Sequence, residues 1–210
     1  LFINQEMTPF VPENELSLLG RNLPQMILEK GHEVRTFMPK WASINERRGQ
    51  LHEVQRLSGM NLIIDDTDHP MIIKCASIPS TRIQVFFIDN DDYFSKRQVD
   101  IENEDVDYND NGERTVFFAR GVLETVKKQR WSPDIIHCQG WLSVALPLYA
   151  KLAYNEDPSF ANSKIITSLS SFNNKEFEAE FKTLLEYSNI TKESLEKYPD
   201  NFDIKELYKL

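Results

Sequence analysis

Residues 131–147 read WSPDIIHCQGWLSVALP and carry the clearest fold signal in the chain. A short apolar run at 135–136 follows Pro133, and Gly140 ends it before a second apolar stretch opens at Trp141. This pattern predicts a buried strand, a tight turn and then a helix. The polar residues of the turn are therefore expected at the carboxyl end of a strand, where open α/β sheets bind their ligands.

The beginning of the chain predicts a first strand, helix and strand. Residues 1–4 read as the end of a strand, and leucines at helical spacing predict a helix over 13–31. Pro24 is expected to kink or divide this helix, and Gly31 is expected to end it. The alternating residues 32–39 predict the second strand, which completes a βαβ unit.

The middle of the chain predicts an antiparallel addition to the sheet. Short β-like runs between residues 50 and 90 are separated by turn residues such as 65–70, a spacing that favours hairpins. Residues 89–111 are acidic and have no regular period, so we expect a long surface loop there. A helix is predicted over 113–129, with Asn111 as its N-cap.

Together these elements predict an α/β fold, a doubly wound Rossmann-like parallel sheet with a β-hairpin insertion. A last strand is expected at 164–170, so the sheet domain is assigned to residues 1–170. Residues 171–210 are charged and helix-prone, and they are predicted to form a helical tail of the same domain.

Composition favours a soluble globular protein, because 40% of the 210 residues are hydrophobic and 27% are charged. No apolar run reaches the length of a membrane-spanning helix. The formal net charge of -9 argues against binding to nucleic acid or to anionic lipid. Cys75 and Cys138 form no CxxC pair, and no histidine has partners at metal-ligand spacing. We therefore expect no metal, no cofactor and a reducing, cytoplasmic setting.

Four segments of the chain resemble the N-terminal half of bacterial glycogen and starch synthases, in that family's order. They are GHEVRTFMPKW from Gly31, VFFIDNDDYF from Val85, NGERTVFFARGVLE from Asn111 and PDIIHCQGW from Pro133. The resemblance implies the acceptor-side domain of a two-domain GT-B glucosyltransferase, which moves glucose from ADP-glucose to an α-1,4-glucan with retention. ADP-glucose is then a substrate, and an α-glucan or maltooligosaccharide is the expected partner.

The resemblance also nominates site residues. Asp110 and Asn111 match a family DNxxR segment, so Asp110 is the candidate catalytic carboxylate and Asn111 a candidate for substrate binding. His137 and Trp141 match the family's His-x-His-Asp-Trp-His, and together with Gln139 they are further candidates for substrate binding. The alternatives are purely structural roles: a helix cap or a solvated loop charge for Asp110, a structural hydrogen bond for His137 and core packing for Trp141.

Departures from the family pattern predict that this chain does not transfer glucose alone. Where the family has Lys-Thr-Gly-Gly against the donor, residues 12–15 read Pro-Glu-Asn-Glu, and two glutamates repel a diphosphate. Gln139, Gly140 and Leu142 replace His, Asp and His of the turn. The family's donor-side half is also not expected within these residues. The alternatives are a non-catalytic α-glucan-binding or regulatory module, and a subunit whose protein partner supplies a C-terminal domain.

Overall fold

The computed structural model of the chain describes residues 1–64, 66–96, 110–168 and 190. In chain order, its strands are β1 (Phe2–Asn4), β2 (Thr36–Pro39), β3 (His52–Glu53), β4 (Met60–Ile64), β5 (Thr67–Ser77), β6 (Gln84–Asp89), β7 (Ile135–Gln139) and β8 (Lys164–Ser168). The helices are α1 (Glu15–Glu29), α2 (Glu46–Gly49), α3 (Asn111–Lys128) and α4 (Ala145–Leu152), with a π-helical turn at Asp91–Ser95 and a 3-10 turn at Trp141–Ser143.

The expected parallel sheet is confirmed. Strands β6, β2, β1, β7 and β8 lie side by side in that order, and every neighbouring pair is parallel. Gly20 of α1 approaches Asn4, whereas Gly121 of α3 approaches Ile88 on the other face of the sheet. Helices therefore cover both faces, as in a doubly wound fold.

The hairpin insertion is also confirmed, but one of its boundaries differs from the prediction. Strand β5 pairs antiparallel with β6, and both β3 and β4 pair antiparallel with β5. Residues 65–70 were expected to separate two strands, yet β5 already begins at Thr67. Pairing with β4 explains the extension, because Leu62 lies opposite His69 and Asn61 opposite Pro70 in the ladder.

Helix α1 runs unbroken through Pro24, so the prediction that proline divides it is wrong. Ser17, Gly20 and Pro24 form the buried stripe of this helix. Packing of that stripe on the sheet retains the helical path even though proline supplies no backbone N–H. Gly31 ends the helix as expected, with φ of +93°.

Helix α3 begins at Asn111, so Asn111 is its first helical residue, and the prediction that it is the N-cap is wrong. The N-cap position belongs to Asp110, whose side chain makes no capping hydrogen bond. The Asn111 side chain instead accepts a hydrogen bond from Nη1 of Arg114 at 3.0 Å. This internal contact explains why asparagine stands inside the helix and not before it.

The hydrophobic core lies between the sheet and helices α3 and α4. Phe117, Phe118 and Leu123 of α3 are fully buried, as are Leu146 and Leu148 of α4. Among the described helices, none is both long and apolar enough to cross a membrane. The predicted tail at 171–210 lies outside the described residues except for Ile190.

Candidate functional site

The carboxyl ends of β1 and β7 lie side by side and bring polar residues together. In the parallel ladder Asn4 is opposite Gln139, and Phe2 is opposite His137. Trp141 follows directly in the 3-10 turn. Three of the residues nominated from sequence, His137, Gln139 and Trp141, therefore occupy one edge of the sheet, the edge at which such folds bind ligands.

Several polar side-chain atoms at this edge have no hydrogen-bond partner among the described residues, although they are buried. They are Nδ2 and Oδ1 of Asn4, Oε1 of Gln5, Nδ1 of His137 and Oε1 of Gln139. Leaving one such group unpaired costs about 1–3 kcal/mol. A group of them in adjacent strand ends marks this edge for a polar ligand or for water.

The remaining atoms of the same side chains are anchored. Gln139 donates from Nε2 to the carbonyl of Leu16 at 2.6 Å, which ties β7 to the first turn of α1. His137 pairs through Nε2 with Oγ of Ser168 on the neighbouring strand at 2.8 Å. These bonds hold the free atoms of both residues in a fixed place.

Burial lowers the pKa of His137 below its ordinary value, so the ring is neutral at pH 7.

Unfolding exposes the His137 ring, which then binds a proton more readily than in the folded chain. The free energy of unfolding should therefore decrease as the pH falls through about 6.5 and below. His137→Gln should flatten this decrease, measured by urea unfolding between pH 5 and pH 8, about 1.5 units on either side of 6.5; an unchanged pH dependence would contradict the assignment.

The other nominated residues meet this edge through Arg114. Asn111 is buried and contacts the Arg114 guanidinium, and the carbonyl of Asp110 accepts the backbone N–H of Arg114 at 3.0 Å. The guanidinium lies over the Trp141 ring, 5.7 Å from its centroid. Trp141 is only 7% exposed, so most of its ring packs inside the protein and little of it faces solvent.

The loop before α1 is acidic and its hydrogen bonds are internal. Asn14 caps the helix by accepting the N–H of Ser17 at 2.8 Å, and Ser17 in turn accepts the N–H of Asn14 at 2.9 Å. Glu6 accepts hydrogen bonds from Nδ2 of Asn14 at 2.5 Å and from Nε2 of Gln5 at 3.1 Å. An incoming anion would therefore meet the Glu6 carboxylate and a helix end that is already capped.

A second charged group lies at the carboxyl ends of β2 and β6. Nζ of Lys74 contacts Oδ2 of Asp89 at 2.8 Å and Oε1 of Glu46 at 2.6 Å, and Lys40 contacts the same Glu46 oxygen at 3.2 Å. Burial alone would lower the pKa of Lys74, but the hydrogen bonds to Asp89 and Glu46 raise it above its ordinary value. All four charges are paired, which favours a structural role for this group.

Sequence reasoning missed Asn4, Gln5, Glu6 and Trp41. The first three form a polar triplet that begins with the last residue of β1, and the rule that drew attention to His137 applies equally to them. Trp41 donates from Nε1 to the carbonyl of Gln5 at 2.8 Å, a contact that no sequence pattern signals. No group of three or more His, Cys, Asp or Glu able to hold a metal occurs within the described ranges.

Comparison with known proteins agrees with the fold and the segments just described. The sequence profile of the family described as "Starch synthase catalytic domain" matches residues 1–206. The chain belongs to this family. Its four family-like segments lie on β2, on β6 and the turn after it, on α3, and on β7 with its turn.

Similar proteins of this family include glycogen synthases of Chlorobium and Chlorobaculum species. The chain is 36% identical to that of Chlorobium limicola over 171 residues, which is 80% of this chain and 35% of the relative. It is 35% identical to that of Chlorobaculum tepidum over 171 residues, with the same shares. The chain thus spans about a third of these relatives and corresponds to their N-terminal domain.

A solved structure confirms the fold. The catalytic domain of starch synthase IV from Arabidopsis thaliana, bound to ADP and acarbose, superposes with a TM-score of 0.71. The similarity covers 98% of this chain and 37% of that one, at 20% identity. The shared fold is therefore that of a domain of GT-B type.

Proposed function

We propose that this domain binds an α-glucan at the carboxyl edge of β1 and β7, as the acceptor-side domain of a glycogen or starch synthase, and that it does not transfer glucose by itself. The observation that carries the proposal is the set of unpaired neutral groups on Asn4, Gln5, His137 and Gln139. Family membership supplies the ligand class, because α-glucans are what synthases of this family extend.

The chemistry of this edge suits a neutral, hydroxyl-rich ligand. Side-chain amides donate and accept hydrogen bonds, and the hydroxyl groups of a sugar do the same. Gln5 and His137 retain 5% and 6% exposure and form the outer end of the set, whereas Asn4 lies beneath them at 0%. A maltooligosaccharide would therefore meet Gln5 and His137 first.

The acidic loop before α1 supports the proposal that the domain does not transfer glucose by itself. Glu13 and Glu15 are exposed beside the N-terminus of α1, and Glu6 lies behind them. Pro12 has no backbone N–H to offer a phosphate. Carboxylates at this end of a helix occupy the place that favours an anion, so a nucleoside diphosphate is repelled.

Calorimetric titration with maltoheptaose tests the binding site. We expect measurable binding to the wild-type chain and a loss of affinity of about two- to twelvefold in Gln5→Leu, because a hydrogen bond contributes about 0.5–1.5 kcal/mol. Gln55→Leu, at an exposed turn position, is the matched control and should bind as the wild type does. Absence of heat with the wild type, or equal affinity in both variants, would refute the site.

Incubation with ADP-glucose and glycogen tests the lack of transfer. The purified chain should incorporate no glucose, and ADP should give no heat of binding. A loop variant carrying Pro12→Lys, Glu13→Thr, Asn14→Gly and Glu15→Gly should gain ADP binding, because it removes two negative charges and adds a positive one. Glucose incorporation by the wild type that is lost in Asp110→Ala would overturn this part.

If maltoheptaose binds and no transfer occurs, the chain acts as a non-catalytic α-glucan-binding module or pairs with a second protein that holds the donor. Two observations support such a role: the capped, acidic α1 end and the absence of the family's turn carboxylate, since glycine stands at position 140. We propose that the protein lies in the cytoplasm with its glucan, where the free cysteines Cys75 and Cys138 would stay reduced.

A further inference from the structure

We infer that Arg114 is a positioning residue of this site, which fixes Trp141 and Trp41 and through them the turns that follow β7 and β1. The glucan part of this inference rests on the proposed function above. Arg114 itself is 1% exposed, so it acts through its neighbours.

Three aromatic rings surround the Arg114 guanidinium. Its central carbon lies 5.2 Å from the centroid of Trp41, 5.7 Å from that of Trp141 and 5.9 Å from that of Phe94. All three distances fall within the ~6 Å at which a cation and a ring attract each other. One charged plane therefore holds rings from three separate segments of the chain.

Hydrogen bonds fix the orientation of that plane. Nε of Arg114 donates to the carbonyl of Tyr93 at 3.0 Å, and Nη1 donates to Oδ1 of Asn111 at 3.0 Å. Both acceptors are buried, at 2% and 3% exposure. The guanidinium cannot rotate without breaking one of these bonds, so the rings packed on it are held at a set distance.

Each ring belongs to a segment that leaves the carboxyl edge of the sheet. Trp41 follows β2, Phe94 follows β6 and Trp141 follows β7. Trp41 extends the chain of contacts to β1, because its indole Nε1 donates to the carbonyl of Gln5 at 2.8 Å. Arg114 thus reaches both strand ends that carry the unpaired polar atoms.

Lysine at this position would keep the charge but not the geometry. An ammonium group is a point charge without a plane, and it cannot donate in two fixed directions while also facing three rings. Arg114→Lys should therefore leave the fold in place and loosen Trp141, which would shift the Gln5 and Gly140 turns. Maltoheptaose affinity should then decrease although the ligand never contacts residue 114.

The test uses the indoles as reporters. Trp131 lies at the amino-terminal edge of the sheet, so a Trp131→Phe background leaves Trp41 and Trp141 as the two tryptophans of the chain. In this background Arg114→Lys should move the emission to longer wavelength and increase acrylamide quenching, with far-UV circular dichroism unchanged. Maltoheptaose affinity should decrease about tenfold, which corresponds to about 1.4 kcal/mol.

Arg35 offers a matched control, because its guanidinium lies 4.5 Å from the centroid of Trp131 at the opposite edge. In the chain that retains Trp131, Arg35→Lys should leave maltoheptaose affinity unchanged. If Arg114→Lys does not fold, Asn111→Ala removes one of the two guanidinium anchors and should produce the same spectral change at smaller size.

Unchanged emission and quenching in a folded Arg114→Lys chain would overturn the inference. Altered indole signals with unchanged maltoheptaose affinity would overturn the coupling between Arg114 and the glucan site. Failure of the wild type to bind maltoheptaose would refute the proposed function alone, since the indole signals still decide whether Arg114 positions the two tryptophans.

Discussion

Gly140→Ala is expected to lower the free energy of unfolding by about 3 kcal/mol and to weaken maltoheptaose binding at the same time. Gly140 has φ of +83° and ψ of +164°, a combination that is essentially restricted to glycine. Any side chain placed there must either strain the backbone or move the turn between β7 and the Trp141 helix.

Contact with Gln5 adds to the backbone cost. A Cβ atom on residue 140 would lie 2.6 Å from Oε1 of Gln5 and 2.7 Å from its Cβ. The amide oxygen can swing away, but the Cβ atom is fixed to the backbone just after β1. The substitution therefore pushes the two strand ends apart at the place where the polar atoms cluster.

Gly31→Ala separates the backbone cost from the cost of the contact with Gln5. Gly31 also has a left-handed φ, +93°, but nothing lies within 4 Å of the Cβ that alanine would add. Its cost should therefore be the backbone term alone, about 1–2 kcal/mol. Urea unfolding of both variants measures the difference. If Gly140→Ala costs no more than Gly31→Ala, the close contact with Gln5 has no energetic consequence.

The same geometry bears on the missing family carboxylate. An aspartate at position 140, where the family pattern has one, would meet Gln5 as an alanine does. Gly140→Asp alone should therefore destabilise the chain and restore no chemistry. Shortening Gln5 to alanine in the same chain removes the contacts with its distal atoms, so the pair should be less destabilised than the sum of the two single changes.

The strand-end rule directed attention to the β7 side of this edge and overlooked its β1 side. The run at 135–136 is apolar and bounded by turn residues, so its carboxyl end was evident. Strand β1 has only three residues, Phe2–Asn4, which gives too short a pattern to direct attention to Asn4, Gln5 and Glu6. Register is a tertiary property, and it alone reveals that Asn4 lies opposite Gln139.

The errors in the predicted elements share a physical cause, which is packing that overrides local preference. Pro24 should break a helix, yet it lies on the buried stripe of α1. Asn111 is a good N-cap residue, but its amide is engaged by Arg114. The Asn111 contact is local, but the packing of Pro24 on the sheet and the approach of three rings to Arg114 depend on tertiary structure and leave no trace in periodicity.

Lys74→Met is the second substitution with a large expected effect. It removes the ammonium group 2.8 Å from Oδ2 of Asp89, a side chain that is only 2% exposed. Ser95 still donates to Asp89 at 2.5 Å, but a hydroxyl does not neutralise the charge. Removing one partner of a buried ion pair costs about 3–5 kcal/mol. We expect Lys74→Met to lower the free energy of unfolding, measured with urea, by an amount within that range.

A surface ion pair provides the control. Lys127 contacts Oε1 of Glu124 at 3.4 Å and Oδ2 of Asp157 at 3.3 Å, and its side chain is 35% exposed. Lys127→Met should cost only about 0–1 kcal/mol, because water screens an exposed pair. Equal losses in Lys74→Met and Lys127→Met would show that the Lys74–Asp89 pair is as well hydrated as one at the surface.

The pH dependence of the Lys74 variant gives an independent check. Hydrogen bonding to Lys74 is the main cause that lowers the pKa of Glu46 below 4.5. A carboxyl with a lowered pKa contributes stability above its unfolded pKa and loses it as the pH falls. As the pH falls below about 4.5, the free energy of unfolding of the wild type should therefore decrease more steeply than that of Lys74→Met.

The double variant Lys74→Met, Asp89→Leu distinguishes two causes for the cost of Lys74→Met. One is the lost attraction between the two side chains, and the other is the Asp89 carboxylate left buried without a cation. If the cost of Lys74→Met comes from leaving the Asp89 carboxylate buried without a cation, removal of that carboxylate should recover most of it, because apolar replacements of buried pairs are often neutral. If the destabilisation of the double variant equals the sum of the two single ones, the two side chains act independently, and the pairing of Lys74 in β5 with Asp89 at the end of β6 does not stabilise this edge.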